Sequence, residues 1–292
     1  MGALISACII CQDQAHCIGR ALDSLAWCEE IVVVDSGSTD GTLEICRGHG
    51  SGKVRVIQEK WRGYNPQREF AANACKTDWV LMLDADEECS PELQRELVGL
   101  SDTVLADAAI FRMPRKNYLA GRYVRCLSPD YQARFIHKGR TEWDPQPLPE
   151  IRRAKAGFGV KTLKRALLHN RLTAFSMLDF CDGVRMQERA QALAGAMHER
   201  GRRATMMQLL TRPVLTFLKY YFVKGGILDG RMGLAIAYRG TIGVALKYSV
   251  LYGRELVDEE SAWRRGGGDV VDGPGVDESI GGAPMPLTGE KS

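Results

Sequence analysis

Short apolar runs alternate with segments of helical spacing over the first hundred residues. Four runs, each bounded by polar residues, predict strands at 4–10, 30–34, 54–58 and 79–83. Three segments between them, with apolar residues three or four apart, predict helices at 18–25, 42–47 and 67–74. Because strand–helix alternation is typical of sheets covered on both faces, we expect an α/β fold with a mostly parallel sheet.

The pattern changes after about residue 108. Ser90 and Pro91 begin one more helix, and strand-like runs at 110–113 and 131–136 then follow among polar loops. Helical spacing returns at 177–197, and residues 266–292 are Gly/Pro-rich and acidic, which predicts disorder. We divide the chain into an N-terminal half at 1–110, a second half at 111–198, a basic amphipathic helical region at 199–256 and an acidic tail at 257–292.

The composition of the 292 residues, 45% hydrophobic and 26% charged, is that of an ordinary globular protein. The nine cysteines are an odd set with no secretory signal ahead of them, so we expect a reduced, cytoplasmic setting. Cys8 and Cys11 have the spacing of a zinc pair, but a second pair is missing and both lie in an apolar strand pattern. We therefore predict buried strand cysteines.

Charge is distributed unevenly along the C-terminal third. Residues 200–254 carry ten Lys/Arg against one acid, Asp229, whereas 255–292 carry nine acids against three bases. Charged residues interrupt the apolar stretches of 200–254 well before the roughly 20 residues that span a bilayer. This pattern favours helices lying on an anionic membrane face, while helices packed on the catalytic domain with a basic outer face remain the alternative. No nucleic-acid-reading motif accompanies the basic residues, so we expect no nucleic-acid partner.

Acidic residues follow two of the predicted strands. Residues 80–83 lead directly into Asp84 and Asp86, and an earlier run ends at Asp35. Carboxyl ends of parallel strands meet at one sheet edge, where ligands bind. There Asp35 can accept a hydrogen bond from a base or ribose, Asp84 can bind ribose or metal, and Asp86 is the better metal ligand. Their oxygens suit Mg²⁺ or Mn²⁺ bridging to a diphosphate, and Arg68 can contact the same nucleotide.

Residues 32–42, Arg68 and residues 83–87 together resemble the family 2 glycosyltransferases of the GT-A fold. The resemblance implies that Asp35 contacts the nucleotide base and Arg68 the nucleotide. It also implies that Asp84 contacts ribose or metal and that Asp86 binds the metal. An ordinary acidic turn is the alternative for the Asp84–Asp86 spacing taken alone.

A second stretch, comprising 111–122, 128–130 and 134–135, resembles the lipopolysaccharide-core glucosyltransferase-like branch of that family. The resemblance implies a set of residues around the donor sugar and acceptor: Arg112, Asn117, Gly121, Asp130 and Arg134. The branch carries a His-Glu pair where this chain has Pro149-Glu150, so the Glu is kept and the His is missing.

An inverting transferase needs a carboxylate to deprotonate the acceptor hydroxyl, and Glu150 is the first candidate, with Asp130 second. His169 is either a further metal ligand or a structural histidine. The resemblance implies that residues 1–110 bind the nucleotide sugar and that residues 111–198 form the acceptor and catalytic half. It also implies a reaction that moves a hexose from a nucleotide diphosphate sugar, UDP-glucose first, to a lipid-linked glycan such as the lipopolysaccharide inner core. The expected location is the cytoplasmic face of the inner membrane. Alternatives are a polyprenyl-phosphate sugar transferase and a non-catalytic nucleotide-sugar-binding protein at the membrane.

Overall fold

The computed structural model describes residues 3–143, 152–171 and 183–265, and it confirms the α/β class. The strands are β1 (Ile5–Cys11), β2 (Ile31–Asp35), β3 (Val54–Gln58), β4 (Trp79–Asp84), β5 (Glu87–Cys89), β6 (Ala108–Leu119), β7 (Arg122–Tyr123), β8 (Asp130–His137), β9 (Thr141–Trp143), β10 (Arg152–Ala154), β11 (Gly159–Thr162) and β12 (Leu167–Arg171). The helices are α1 (Ile18–Leu25), α2 (Thr42–Arg47), α3 (Tyr64–Ala74), α4 (Pro91–Val98), α5 (Asp102–Ala106), α6 (Gly183–Glu199), α7 (Met206–Leu218) and α8 (Gly230–Arg265).

One large sheet contains strands from both predicted halves, 1–110 and 111–198. Its strand order is β3-β2-β1-β4-β8-β6-β12-β5. Strands β3, β2, β1 and β4 are parallel, as predicted, but β8 is antiparallel to both β4 and β6. The reason is the short connection from β6 to β8, since only a longer crossover returns a chain in the parallel direction. Strand β5 follows β4 after two residues yet pairs with β12 at the far end of the order, so the sheet curls.

The parallel strands are buried because helices cover both of their faces. Alternate residues of β1, Ile5, Ala7 and Ile9, pack in the cluster that contains Leu22 and Leu25 of α1. The intervening residues face the other way, in a cluster with Ala71 and Ala72 of α3. Cys8 and Cys11 are buried in β1, which confirms them as strand cysteines, and all eight cysteines of the described residues are buried and unpaired.

Several element bounds agree with the pattern of the sequence. Helices α1 and α2 and strand β3 have the predicted bounds, and the Ser90 hydroxyl accepts a hydrogen bond from the Leu93 N–H at the start of α4. Helix α3 begins at Tyr64, three residues before the predicted start. Pro66 does not interrupt it, because the first N–H groups of a helix have no intrahelical acceptor.

The C-terminal region is helical, as predicted, and α6 and α7 both pack on the 36-residue α8. A small cluster fixes these helices to the sheet: Leu119, Val124 and Cys126 pack with Ile236 of α8. In the described part of the chain, no helix is long and apolar enough to cross a bilayer. Residues 177–182 of the predicted helix and the predicted disordered tail lie outside the described residues.

Two glycines allow the connection between α7 and α8 to pack against α8. A Cβ added at Gly233 would lie 1.9 Å from the carbonyl oxygen of Gly226. Backbone cannot withdraw from such a contact, so we expect Gly233→Ala to lower the free energy of unfolding by about 2 kcal/mol or more. Urea denaturation followed by circular dichroism measures the change.

Gly243→Ala is the matched control on the same helix. Its added Cβ would meet only the Met186 side chain, at 3.8 Å, which is ordinary contact. Because alanine is the better helix former, this variant should be as stable as the parent or more stable by about 0.5–1 kcal/mol. Equal stability of the two variants would contradict the close packing of Gly226 on Gly233.

Candidate active site

The structure brings the two predicted acidic strand ends to one edge of the sheet. Asp35 and Asp84 end β2 and β4, on either side of β1, where they pair in register with Cys11 and Ile10. Two strand spacings put their backbones about 10 Å apart. This is the edge at which open parallel sheets bind ligands.

Asp35 is fully buried and shapes the turn that follows β2. One carboxylate oxygen accepts hydrogen bonds from the N–H groups of Gly37 and Ser38, both at 3.0 Å, and the other accepts from the Ser38 hydroxyl. The turn passes through a left-handed residue, Gly37, with φ of 94°. The carboxylate therefore holds the shape of the loop at the sheet edge.

Asp84 lies between two arginines. Arg68 Nη2 donates to Asp84 Oδ1 at 2.8 Å, and Arg134 Nη2 donates to Asp84 Oδ2. Burial alone would raise the pKa of the Asp84 carboxyl, but the charges of Arg134 and Arg68 outweigh it and hold that pKa well below its usual range. Each oxygen of Asp84 therefore accepts from an arginine, and its contact with ribose or metal stays a prediction.

Glu87, which sequence reasoning did not single out, is the central anion of the site. Its side chain is fully buried, and Oε1 accepts from Arg115 at 2.7 Å and from Arg134 at 2.8 Å. Its other oxygen accepts from the Asp84 N–H at 3.0 Å. The sequence signal that could have identified Glu87 is the alternation of side chains in β5. This alternation puts Glu87 on the same face of the strand as the buried Cys89.

Asp130 is paired across strands with Arg115, directly opposite in the β6–β8 register. The guanidinium binds both oxygens, at 3.2 and 2.7 Å, and Asn117 and Gln132 donate to the same carboxylate at 3.0 and 2.8 Å. Burial alone would raise the pKa of Asp130, but the hydrogen bonds and charge of Arg115 outweigh it and lower that pKa. A lowered pKa makes Asp130 a weaker base than a free aspartate.

Asn117 and His169 connect this pair to Asp86. His169 Nε2 lies 3.0 Å from Asp86 Oδ2, and His169 Nδ1 lies 2.7 Å from Asn117 Oδ1. The amide group of Asn117 donates to Leu127 O at 2.6 Å and to Asp130, which orients its oxygen towards the histidine. Nδ1 therefore donates to Asn117, and Nε2 is the ring nitrogen that faces Asp86.

Asp86 and His169 put a carboxylate oxygen and an imidazole nitrogen 3.0 Å apart at the sheet edge. Both are ligand types of divalent metal ions. Within the ranges that the structure describes, no three His, Cys, Asp or Glu side chains are grouped to hold a metal by themselves. Asp86 and His169 thus fit a divalent ion whose other ligands come from phosphate and water, as is usual for Mg²⁺.

Two of the remaining predicted residues, Arg112 and Gly121, lie apart from this network. Arg112 is exposed on β6, and its place near the sugar stays a prediction. Gly121, with φ of 73°, forms the tight turn between β6 and β7 together with Ala120 at φ of 48°. Glu150, the first candidate for the base, lies outside the described residues.

Comparison with known proteins identifies the family of the chain. The model of the family named Glycosyl transferase family 2 matches residues 6–166, more than half of the chain. The chain belongs to glycosyltransferase family 2, which confirms the resemblance predicted from residues 32–42, Arg68 and residues 83–87.

Among individual relatives, the chain is similar to the lipopolysaccharide core biosynthesis glycosyltransferase LpsC of Rhizobium meliloti. The two are 30% identical over 267 residues, which cover 87% of this chain and 93% of LpsC. An uncharacterized glycosyltransferase of Rickettsia bellii is 46% identical over 94 residues, 32% of this chain and 31% of that protein. The glucosyl-3-phosphoglycerate synthase of Mycobacterium tuberculosis, crystallised with Mn²⁺, UDP and phosphoglyceric acid, aligns over 68% of this chain and 78% of that one, with 15% identity and a TM-score of 0.43.

Proposed function

We propose that this glycosyltransferase is a metal-dependent, inverting hexosyltransferase that moves glucose from UDP-glucose to a lipid-linked glycan such as the lipopolysaccharide inner core. The Asp86–His169–Asn117 arrangement carries the metal part of the proposal. Similarity to LpsC over nearly its whole length supports the acceptor class. The choice of UDP-glucose rests on the sequence resemblance.

Each part of the site has a proposed task. Asp86 and His169 would hold a divalent ion, which when bound would neutralise charge on the departing diphosphate. Arg68, beside Asp84 at the sheet edge, contacts the nucleotide. Arg134 and Arg115 are held by Glu87 and keep the carboxylates in place, so the site is rigid before substrate binds.

The acceptor hydroxyl attacks the anomeric carbon as the bond from that carbon to the diphosphate oxygen breaks. A carboxylate takes the hydroxyl proton, and Glu150 remains our candidate for it. Asp130 is the weaker candidate because its pKa is lowered and four hydrogen bonds occupy its oxygens. We assign to Asp130 the role of positioning Asn117. Through Asn117 it also positions His169, the proposed metal ligand.

Nucleotide release from a panel of donors tests the function. Purified protein is incubated with UDP-, GDP- and dTDP-sugars and Mn²⁺, with and without a lipopolysaccharide-core acceptor, and the released nucleoside diphosphate is measured. We expect acceptor-stimulated release of UDP from UDP-glucose. Release that requires a polyprenyl phosphate would reassign the acceptor, and metal-dependent UDP binding without turnover on any donor would indicate a binding protein.

Asn117→Ala should weaken metal binding although Asn117 does not touch the metal. The variant removes the acceptor that fixes the His169 tautomer, and such changes behind a metal ligand cost about 10- to 100-fold in affinity or activity. A Mn²⁺ titration of activity measures the shift. Gln132→Ala, which removes a different donor to Asp130, is the control and should leave the Mn²⁺ dependence within about twofold. Equal Mn²⁺ curves for Asn117→Ala and the parent would contradict the tautomer argument.

A further inference from the structure

Helix α7 carries a row of apolar side chains that faces solvent. Met207, Leu210, Val214 and Leu218 are spaced by three, four and four residues, so they lie on one face of the helix. Their exposed fractions are 69, 64, 57 and 42%. Apolar residues with this spacing are normally buried, whereas these four side chains are exposed.

The exposed row is not the face with which α7 packs inside the protein. That packing uses other positions: Thr216 and Tyr220, just beyond the helix, lie within 3.7 Å of the place where a Cβ of Gly240 would be, and the Phe217 and Tyr238 rings are 5.5 Å apart. Helix α7 is therefore apolar on two sides. A helix that is apolar nearly all round needs a second partner for its outer side.

The apolar surface continues into the turn after α7 and onto the start of α8. The turn exposes Phe222, Val223, Ile227 and Leu228, with Val223 at 82%, and α8 exposes Tyr238 and Ile242 at 58 and 45%. We call these ten side chains, from Met207 to Ile242, the apolar rim. Large apolar residues concentrated in this way mark an interaction surface.

Within residues 200–254, every exposed charged side chain is positive. Residues 200–254, all within the described ranges, contain ten Lys/Arg and one acid. That acid, Asp229, is only 4% exposed, accepts from the Cys126 N–H at 2.9 Å and lies 3.8 Å from Arg125. Arg212, Lys219 and Arg231 are exposed on the same segment. This segment is therefore apolar and cationic, and the exposed acids of α8, Asp258, Glu259 and Glu260, follow it in the chain.

We propose that the apolar rim docks on an anionic lipid surface, with the helices lying in the interface and not crossing it. Apolar side chains enter the acyl boundary while the lysines and arginines bind lipid phosphates, which is the composition of interfacial helices. A second copy of the chain suits the surface less well, because it would oppose two cationic faces.

The apolar rim is joined to the site by one short loop. Arg125 donates to the Leu228 carbonyl oxygen at 3.5 Å, and Cys126 binds Asp229. The next residue, Leu127, accepts from Asn117, which holds His169. If the proposed function holds, docking places the site beside the surface that contains a lipid-linked acceptor. The docking itself does not depend on that function.

Vesicle flotation of the full chain tests the proposal. The vesicles are phosphatidylcholine alone or phosphatidylcholine with about one-third phosphatidylglycerol. We expect binding to the anionic vesicles, weakened by salt, and little binding to the neutral ones. The Val214→Glu/Val223→Glu variant should bind roughly tenfold more weakly or worse, since two exposed valines that would enter the acyl boundary are replaced by charges that anionic lipid repels.

Val98→Glu is the matched control, because Val98 is 56% exposed on α4 and Val214 is 57% exposed on α7. It should bind like the parent. Lys219→Gln/Arg231→Gln should lose most of the preference for anionic vesicles, and circular dichroism shows whether each variant is folded.

Three results would overturn the proposal: a parent protein that does not float with anionic vesicles, a Val214→Glu/Val223→Glu variant that binds as the parent does, or a dimer in vesicle-free solution that this variant converts to monomer. Donor hydrolysis measured on the same preparations separates the two proposals. Protein that floats with the vesicles but shows no turnover would support the docking surface and contradict the proposed function. Protein that shows turnover but does not float would support the proposed function and contradict the docking surface.

Discussion

Asp86→Ala is expected to lower turnover of the preferred nucleotide sugar by about 100- to 1,000-fold. Asp86 Oδ2 lies 3.0 Å from His169 Nε2, so its loss removes one of the two side chains that we propose as metal ligands. A metal contributes several kcal/mol to stabilising a departing diphosphate, and each 1.4 kcal/mol is about a factor of ten in rate. Steady-state UDP release over a range of Mn²⁺ concentrations measures both the rate and the apparent metal affinity.

Asp107→Ala is the control for that experiment. Asp107 is exposed and directly precedes β6, ten residues before Asn117, which is about 30 Å along the strand. Its removal should leave rate and metal dependence as in the parent. If Asp86→Ala had the same Mn²⁺ dependence and rate as the parent, the metal would have to bind elsewhere.

Glu87→Ala is expected to destabilise the protein by about 3–5 kcal/mol, the largest effect on stability among these variants. The substitution leaves two nearly buried cations, Arg115 and Arg134, without the acceptor at the centre of the network. Removing one partner of a buried ion pair is costly because the other charge stays desolvated. Chemical denaturation measures the loss, and Glu87→Gln should lie between the parent and Glu87→Ala.

Glu92→Ala is the corresponding change in an exposed ion pair. Glu92 lies 3.3 Å from Arg95 on α4, and the two side chains are 52 and 74% exposed. Solvent screens such a pair, so we expect a change of about 0–1 kcal/mol. Losses of equal size in Glu87→Ala and Glu92→Ala would show that the buried network is not what stabilises the sheet edge.

The first hundred residues could be predicted well because their signals are local. A buried strand needs a short apolar run, and Ser90 with Pro91 begins a helix wherever the rest of the chain lies. The direction of β8 could not be predicted in this way. It follows from how β6 and β8 are connected and from the position of β8 between β4 and β6.

The same division applies to the site. Asp35, Asp84 and Asp86 follow strands directly, so the sequence alone indicates an acidic sheet edge, and the family resemblance that includes Arg68 is confirmed by the family match. The role of Glu87 could not be predicted, because its partners Arg115 and Arg134 come from strands 28 and 47 residues further along the chain.

By itself, the sequence determined the α/β class, the family and the set of carboxylates at the strand ends, since each depends on residues close together in the chain. Only the tertiary structure decided which charges meet. The pairing of β12 with both β5 and β6 brings His169 between Glu87 and Asn117, in register with both. Hydrogen bonds and ion pairs act over a few ångströms, so which acid faces an arginine and which faces a histidine depends on strand register, which no local pattern specifies.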